Sequence, residues 1–492
     1  AMQIAAAAPS PALAVPASLH ASLMARLDRL GPAKEVAQIG AAIGRDFSHA
    51  LLAAVASKPE AELSAALERL IGAGLLSRQG VPPHASYLFK HALVQDAAYG
   101  MLLREPRRAL HARIAETLEG RFADIAETQP ELLARHCTEA GLIEKAAGLW
   151  GKAGERSLAR YALVEGTEQL KRALDQIATL PATPALRREE IKLRVAFANA
   201  LALTGDLVGG KEHYDRALAI YDPAEHRPIT TRSGRDVGVT LLSFRSSCVW
   251  QLGYPAASRN DVVRAVKNAR EIGHVTTLMY ALFSALFSHV YCGDYAAAHA
   301  LADELIASAE ERGAQYWKAI GTAGRGEIFA LTGNASDAVR AITTAITSLR
   351  SMGASLYEPR HLWNLAMAYA ELGQLDEARH CIDDAIDKVE RSKEKWCEAE
   401  VQRVAGEIAL KSPTPNLEEA EAYFDRALAV ARQQQTKSWE LRAAMSLARL
   451  WRSQGKPQQA RELLAPVYGW FTEGFDTLDL KEAKALLEML AA

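Results

Sequence analysis

The sequence predicts a mostly α-helical protein: a solenoid of helical hairpins, preceded by a small helical domain with one β-hairpin. Three observations carry this. The 492 residues are 49% hydrophobic and 24% charged, with only 19 prolines and 32 glycines in an Ala-, Leu-, Glu- and Arg-rich chain, a composition that favours helix. Glycines recur every 40 residues at Gly253, Gly293, Gly333 and Gly373, with Gly455 two periods and two residues later. The first hundred residues do not follow that period and end in two short alternating runs around a Gly/Pro turn.

Taken in order, residues 1–18 hold Pro9, Pro11 and Pro16 and no Lys or Arg. They read as a linker, and the chain as the C-terminal part of something longer. Ser18 is placed to cap a helix reaching about Leu30, with Leu19, Leu23, Leu27 and Leu30 on one face. Gly31-Pro32 ends it and opens a second helix to about Ile43. Ser48 opens a third and Pro59 a fourth, whose buried stripe is Leu63, Ala66, Leu67, Leu70 and Ile71. LLSRQ and SYLFKH then flank GVPPHA as a β-hairpin, and HALVQDAAYGMLL follows as a helix. A helix bundle followed by a hairpin is the layout of a winged helix, assigned here to residues 19–105. The helix before the hairpin, PEAELSAALERL, is acidic in its first turn, and the formal net charge of the chain is −2. Specific nucleic-acid binding is therefore not expected.

Residues 106–492 carry the repeat. Small residues lie five positions after the turn glycines (Ala298, Ala338, Ala378, Ala460) and seven before them (Gly326, Ala366, Ala448), marking close helix approach. Within Leu362–Ile386, Leu365, Ala366, Tyr369, Gly373, Ala378, Ile382 and Ala385 match the tetratricopeptide pattern. The period exceeds the usual ~34 residues, so helices longer by a turn, or looser connections, are expected. Stacked units of this kind form a solenoid with an extended concave face. The uncharged run His274–Cys292 reads as a buried solenoid helix, not a membrane span. Five cysteines spread singly along the chain fit a reducing, cytoplasmic setting.

Two stretches, ASLMARLDRLGPAKEVAQIGAAIGRDFS (Ala21–Ser48) and YLFKHALVQDAAYGMLL (Tyr87–Leu103), resemble the winged-helix end of a signal-transduction ATPase module. YDPAEHR (Tyr221–Arg227) and YGWFTEGFDTLDLKEAKALL (Tyr468–Leu487) resemble the C-terminal region of large bacterial class III adenylate/guanylate cyclases. The resemblance implies a parent in which a cyclase domain and an ATP-using module precede repeats. For this chain it implies a non-catalytic regulatory and protein-interaction region. The alternatives are a solenoid transcription regulator, or a cyclase/ATPase fragment with residual nucleotide contact.

No phosphate-binding loop of the form GxxxxGK[ST], no HExxH and no GxSxG occurs, so no catalytic residue, metal ligand or cofactor site is assigned to the chain. His91, at the end of the hairpin, is a weak nucleotide-sensor candidate by resemblance to related ATPase modules. The functional surface expected is the inner face of the first helix of each hairpin. Counted back from the turn glycines, it presents Tyr280, Phe283 and Phe287; Ile320 and Glu327; Arg360, Trp363 and Met367; and Arg442, Met445, Arg449 and Arg452. The aromatics either anchor a partner or pack between helices. The arginines form one stripe whose nearest acids in sequence, Glu440 and Glu462, are too few to neutralise it. That stripe is expected to grip an acidic peptide, a protein partner or the parent's own upstream domains.

Overall fold

A computed structural model describes residues 17–226, 234–412 and 415–491. Residues 1–16 of the expected linker, Arg227 and part of the KSPTPN turn lie outside them. The chain divides into two compact units. One comprises residues up to Ala153 with Asp175–Leu180, and the other comprises Gly154–Leu174 and Pro181 onward. The division does not coincide with the boundary read at residue 105.

The first unit opens with α1 (Ala17–Asp28), α2 (Ala33–Ile43), β1 (Asp46–Ser48), α3 (His49–Ala56) and α4 (Glu60–Gly72). The hairpin β2 (Leu76–Gln79) and β3 (Ser86–Phe89) follows, then α5 (Ala92–Gly100), α6 (Arg104–Arg121), α7 (Ala123–Thr128) and α8 (Pro130–Ala140). α1 begins one residue before the Ser18 expected to cap it. Ser48 does cap α3, its Oγ accepting from the Leu51 N–H at 3.2 Å. The hairpin forms where the alternation placed it, and the sequence reading missed β1. The three strands are antiparallel in the order β1-β3-β2, with Phe47 opposite Tyr87. Phe47, Tyr87 and Phe89 are buried against the helices. A Cβ at Gly40 would lie 2.6 Å from the Phe47 ring, so α2 approaches the sheet only because that position has no side chain. Helices α9 (Ile143–Ala159) and α10 (Leu163–Ile177) span the division between the units.

The second unit continues with α11 (Pro184–Leu203), α12 (Leu207–Ile220), the short α13 (Pro223–His226), α14 (Val237–Gln251), α15 (Pro255–Ile272), α16 (Val275–Tyr291) and α17 (Tyr295–Glu311). Next come α18 (Gln315–Leu331), α19 (Ala335–Ser351), α20 (Glu358–Glu371), α21 (Leu375–Ser392), α22 (Glu398–Leu410) and α23 (Leu417–Gln433). α24 (Lys437–Ser453), α25 (Pro457–Tyr468) and α26 (Leu478–Ala491) complete it. Helices pair as antiparallel hairpins, and the first helices of successive hairpins pack on one another. The 40-residue glycine series forms the turn inside each hairpin, with φ between +74° and +97° from Gly253 to Gly373. A second series, Gly273, Gly313 and Gly353, with Lys393 in place of the fourth glycine, makes the turns between hairpins at φ +61° to +71°. Each helix with its turn therefore takes 20 residues. The extra length over a 34-residue repeat lies in the helices, four of which (α16 to α19) are 17 residues long.

The small residues mark the close approaches as expected. Ala298, Ala338, Ala378 and Ala460 are fully buried, and a Cβ at Gly326 would meet Ile342 at 2.6 Å. Ala378→Trp is expected to overpack the α20–α21 contact and cost about 1–3 kcal/mol or more, spreading to neighbouring hairpins. A thermal melt reads this, and an unchanged midpoint contradicts the packing.

The expected extended concave face is not what forms. The solenoid returns on itself after five hairpins. The end of α11 meets the start of α22, where the Leu203 carbonyl accepts from the Lys395 N–H at 2.7 Å. The end of α14 meets the start of α24, where Trp439 Nε1 donates to Gln251 Oε1 at 3.0 Å. The end of α16 meets α26, where the Leu478 N–H donates to the Cys292 carbonyl at 3.3 Å. The inner face is thereby enclosed, and its aromatics fall in one hydrophobic cluster running from Trp250 to Trp439. α16, the uncharged run, is buried on nearly every side within that cluster. Among the described residues no helix is long and apolar enough to cross a membrane.

Candidate functional site: the enclosed inner face

The first helices present the expected residues inward, and closure sorts them into two adjoining spaces. On α16, Phe283, Phe287 and Tyr291 follow at intervals of four and so share a face. Arg360 of α20 lies over them, its guanidinium carbon 3.4 Å from the Phe287 centroid and 4.6 Å from that of Tyr291. It donates to Glu327 Oε2 at 2.7 Å. The two charges are only 3% and 5% exposed, so each depends on the other. Phe283, Phe287, Tyr291 and Arg360 border a cavity of ≈150 Å³ whose wall also includes Trp250, Tyr357 and Trp396.

The second space, ≈290 Å³, is lined by Glu327, Trp363, Met367, Arg403, Arg442, Met445 and Arg449, and is closed by Leu478, Asp479 and Glu482 of α26. Here the expectation of an unpaired basic stripe is overturned. Arg442 Nε donates to Asp479 Oδ2 at 2.8 Å and Nη1 to Glu400 Oε1 at 3.4 Å. Its guanidinium carbon sits 5.1 Å and 5.2 Å from the Trp250 and Trp439 centroids. Arg449 pairs with Glu482 at 2.8 Å. Arg403 grips Glu400 with two nitrogens, at 2.8 and 2.9 Å. Burial works against the Arg442 cation, but Asp479 and Glu400 outweigh it and raise its pKa. Burial would raise the Glu400 carboxyl, yet Arg403 and Arg442 hold it below the usual range. At Asp479 burial wins and the carboxyl is raised. The acids come from 37 residues downstream and 42 upstream of Arg442, so local sequence counting could not find them.

Other expected residues fall elsewhere. Ile320 and Trp363 are core residues at 1% and 3% exposure. Tyr280 is half-buried, edge-on to Trp317 at 4.6 Å, with Arg235 over its ring. Arg452 is exposed, its nearest hydrogen-bond acceptor the Met489 sulfur at 3.2 Å. His91 is exposed at the start of α5 and makes no capping hydrogen bond. The aromatic anchors thus pack between helices, as one of the two readings had it. The sequence reading missed Tyr291, Trp250 and Trp439. Tyr291 continues the four-residue spacing of Phe283 and Phe287, and that spacing was the available signal.

Residues 362–392 match the tetratricopeptide repeat family, covering the whole of the unit read from Leu362 to Ile386. An uncharacterized protein of Rhizobium meliloti (strain 1021) is 32% identical over 216 residues, 43% of this chain and 20% of that protein. The matched stretch thus spans about a fifth of that relative. Among solved structures, a signal-transduction ATPase with numerous domains and a tetratricopeptide repeat sensor, from Pyrococcus horikoshii, is 13% identical at a TM-score of 0.47, covering 93% of this chain and 64% of that one. A Rap protein complexed with competence and sporulation factor is 12% identical at 0.48, covering 84% and 99%. The quorum sensor NprR from B. thuringiensis is 13% identical at 0.42, covering 73% and 98%. The second unit is a tetratricopeptide-type α-solenoid of stacked helical hairpins.

Proposed function

We propose that the chain is a non-catalytic regulatory region whose solenoid interior holds an acidic amphipathic helix of a protein partner, and that α26 occupies this place in the present structure. One observation carries this reading. α26 lies in the arginine-lined space as a docked helix would, placing Leu478 over Gly293 and setting Asp479 and Glu482, three residues apart, on Arg442 and Arg449. A partner helix with the same Leu-Asp-x-x-Glu spacing would compete for the same cations. The first unit, with its four helices and three-stranded sheet before α5, supports a winged-helix assignment for residues 19–105. The resemblance of Ala21–Ser48 and Tyr468–Leu487 supports a parent with an ATPase module and a nucleotide cyclase domain, whose upstream segments are candidate partners.

The test uses a labelled peptide of residues 475–491. The Asp479→Lys/Glu482→Lys chain, in which α26 is repelled from its arginines, is expected to bind this peptide at least tenfold more tightly than the unaltered chain does. A peptide carrying the same two substitutions is expected not to bind. If the altered chain gains no affinity, α26 does not mimic a partner and the reading fails.

A further inference from the structure

We propose that the aromatic cavity between α14, α16 and α20 is a binding site for a small uncharged aromatic molecule carrying a hydrogen-bond acceptor, such as an aryl ketone. The site adjoins the space that α26 closes and shares Tyr291 with it, but the inference does not depend on the partner reading.

The cavity has room because the buried Ser243 and Ser284 stand where larger side chains would fill the interior. Ser243 and Ser247 on α14 and Ser284 on α16 line it together with Phe287, Tyr357 and Trp396. Its ≈150 Å³ equals that of an engineered apolar cavity able to hold benzene, and is too small for a peptide segment. An apolar cavity of this size can stay dry, but this one is not purely apolar. Three of its lining side chains carry a buried polar atom with no hydrogen-bond partner: Ser243 Oγ, Tyr291 OH and Arg360 Nε. Those residues are 1%, 4% and 3% exposed. Buried polar atoms are normally paired, and several orphans around one space mark a place where a guest completes the bonding.

The same groups define the guest. The walls are rich in aromatic side chains, which favour a flat ring. Arg360 Nε can only donate, and the two hydroxyls can donate or accept, so the guest must bring an acceptor. The guest must also be neutral. The Arg360 charge is already balanced by Glu327 at 2.7 Å, and a second carboxylate would be buried without a counter-charge of its own.

The experiment is calorimetric titration of the full chain with acetophenone, toluene and benzoate, three single-ring probes that differ in acceptor and charge. Acetophenone is expected to bind saturably, one per chain, and at least tenfold more tightly than either of the others. Ser247 is exposed and lines the cavity, so Ser247→Phe is expected to block entry and weaken acetophenone at least tenfold without moving the melting midpoint. Absence of saturable acetophenone binding overturns the proposal, as it shows that the space holds only water. Equal affinity for toluene, or tighter binding of benzoate, also overturns it. So does undiminished binding by a folded Ser247→Phe chain, which would place the site elsewhere.

Discussion

Arg442→Ala is expected to destabilise the second unit by about 3–5 kcal/mol, the range found when one partner of a buried ion pair is removed. The substitution strands two acids. Asp479 and Glu400 both face Arg442 from inside the solenoid, with side chains 17% and 3% exposed. Glu400 keeps Arg403, but Asp479 has only Arg442 among its described ion pairs. The guanidinium also fills the space beside Trp250 and Trp439 and donates to the Tyr291 carbonyl at 3.3 Å, so packing is lost with the charge. The other two arginines of the stripe behave differently. Arg449 and Glu482 are 47% and 45% exposed, so Arg449→Ala is expected to change stability by less than about 1 kcal/mol. Arg452→Ala is expected to have no measurable effect. Urea unfolding of the three single variants separates them. A loss below about 1 kcal/mol for Arg442→Ala contradicts the packing of α26 on α24 that brings Asp479 to it. Restoration of much of the loss by adding Asp479→Asn to Arg442→Ala would show that the stranded acid dominates.

This contrast shows where the sequence is legible and where it stops. The turns were readable because φ near +80° selects glycine, and Gly253, Gly293, Gly333 and Gly373 announce it at a fixed interval. The intervening series went unread because Lys393 and Gln435 take positive φ without being glycine, and so break the apparent period. Strand β1 is three residues long, too short for alternation to register. The inner-face positions of Phe287, Arg360 and Arg442 followed from counting back along each helix. Their partners did not: Glu327, Glu400 and Asp479 stand 33 to 42 positions from Arg360 and Arg442 on other helices of the inner face, and the closure adds contacts between residues 150 to 220 positions apart, such as Tyr291 with Arg442 and Arg259 with Asp476. No local pattern encodes that return. It results from the small rotation between hairpins accumulated over five of them.

Acidification from pH 7 to 5 is expected to weaken the first unit more than the second. In the first unit, His111 of α6 and His136 of α8 are buried, with their Nδ1 atoms 2.8 Å apart. One consistent polarity satisfies the chain of bonds: His136 donates to His111, His111 Nε2 donates to the Tyr99 hydroxyl at 3.0 Å, and Tyr99 donates to Glu139 at 3.3 Å. His111 must then be neutral, since a second proton on it would set two donors against each other. Burial lowers His111 to about 4; Glu139 pulls the other way, and Arg135 and Arg107 each add a smaller push downward. Burial, Arg135 and His111 lower His136 to about 3. The unfolded chain protonates these rings below about 6.5 while the fold does not. Their contribution is therefore complete above that pH and is lost on the way down, by up to about 1.4 kcal/mol per pH unit for each ring. In the second unit His361, lowered by burial and Arg360 to about 3, acts in the same direction. Glu394 opposes it. Burial raises this carboxyl to about 7, although it accepts hydrogen bonds from Trp396 Nε1 at 2.8 Å and the Tyr357 N–H at 3.1 Å. Its contribution is present below the unfolded value near 4.5 and is lost as pH rises through 7, so between 4.5 and 6.5 it offsets His361. Hydrogen exchange corrected for intrinsic rates should show protection falling in α6 and α8 well before α20–α22 as pH drops to 5. Glu394→Gln should raise the stability of the second unit at pH 8 and leave His361 unopposed, so that the unit loses more stability on acidification than the unaltered one does. Titration of His111 or His136 near pH 6.5 by NMR would overturn the account, as would equal loss of protection in both units.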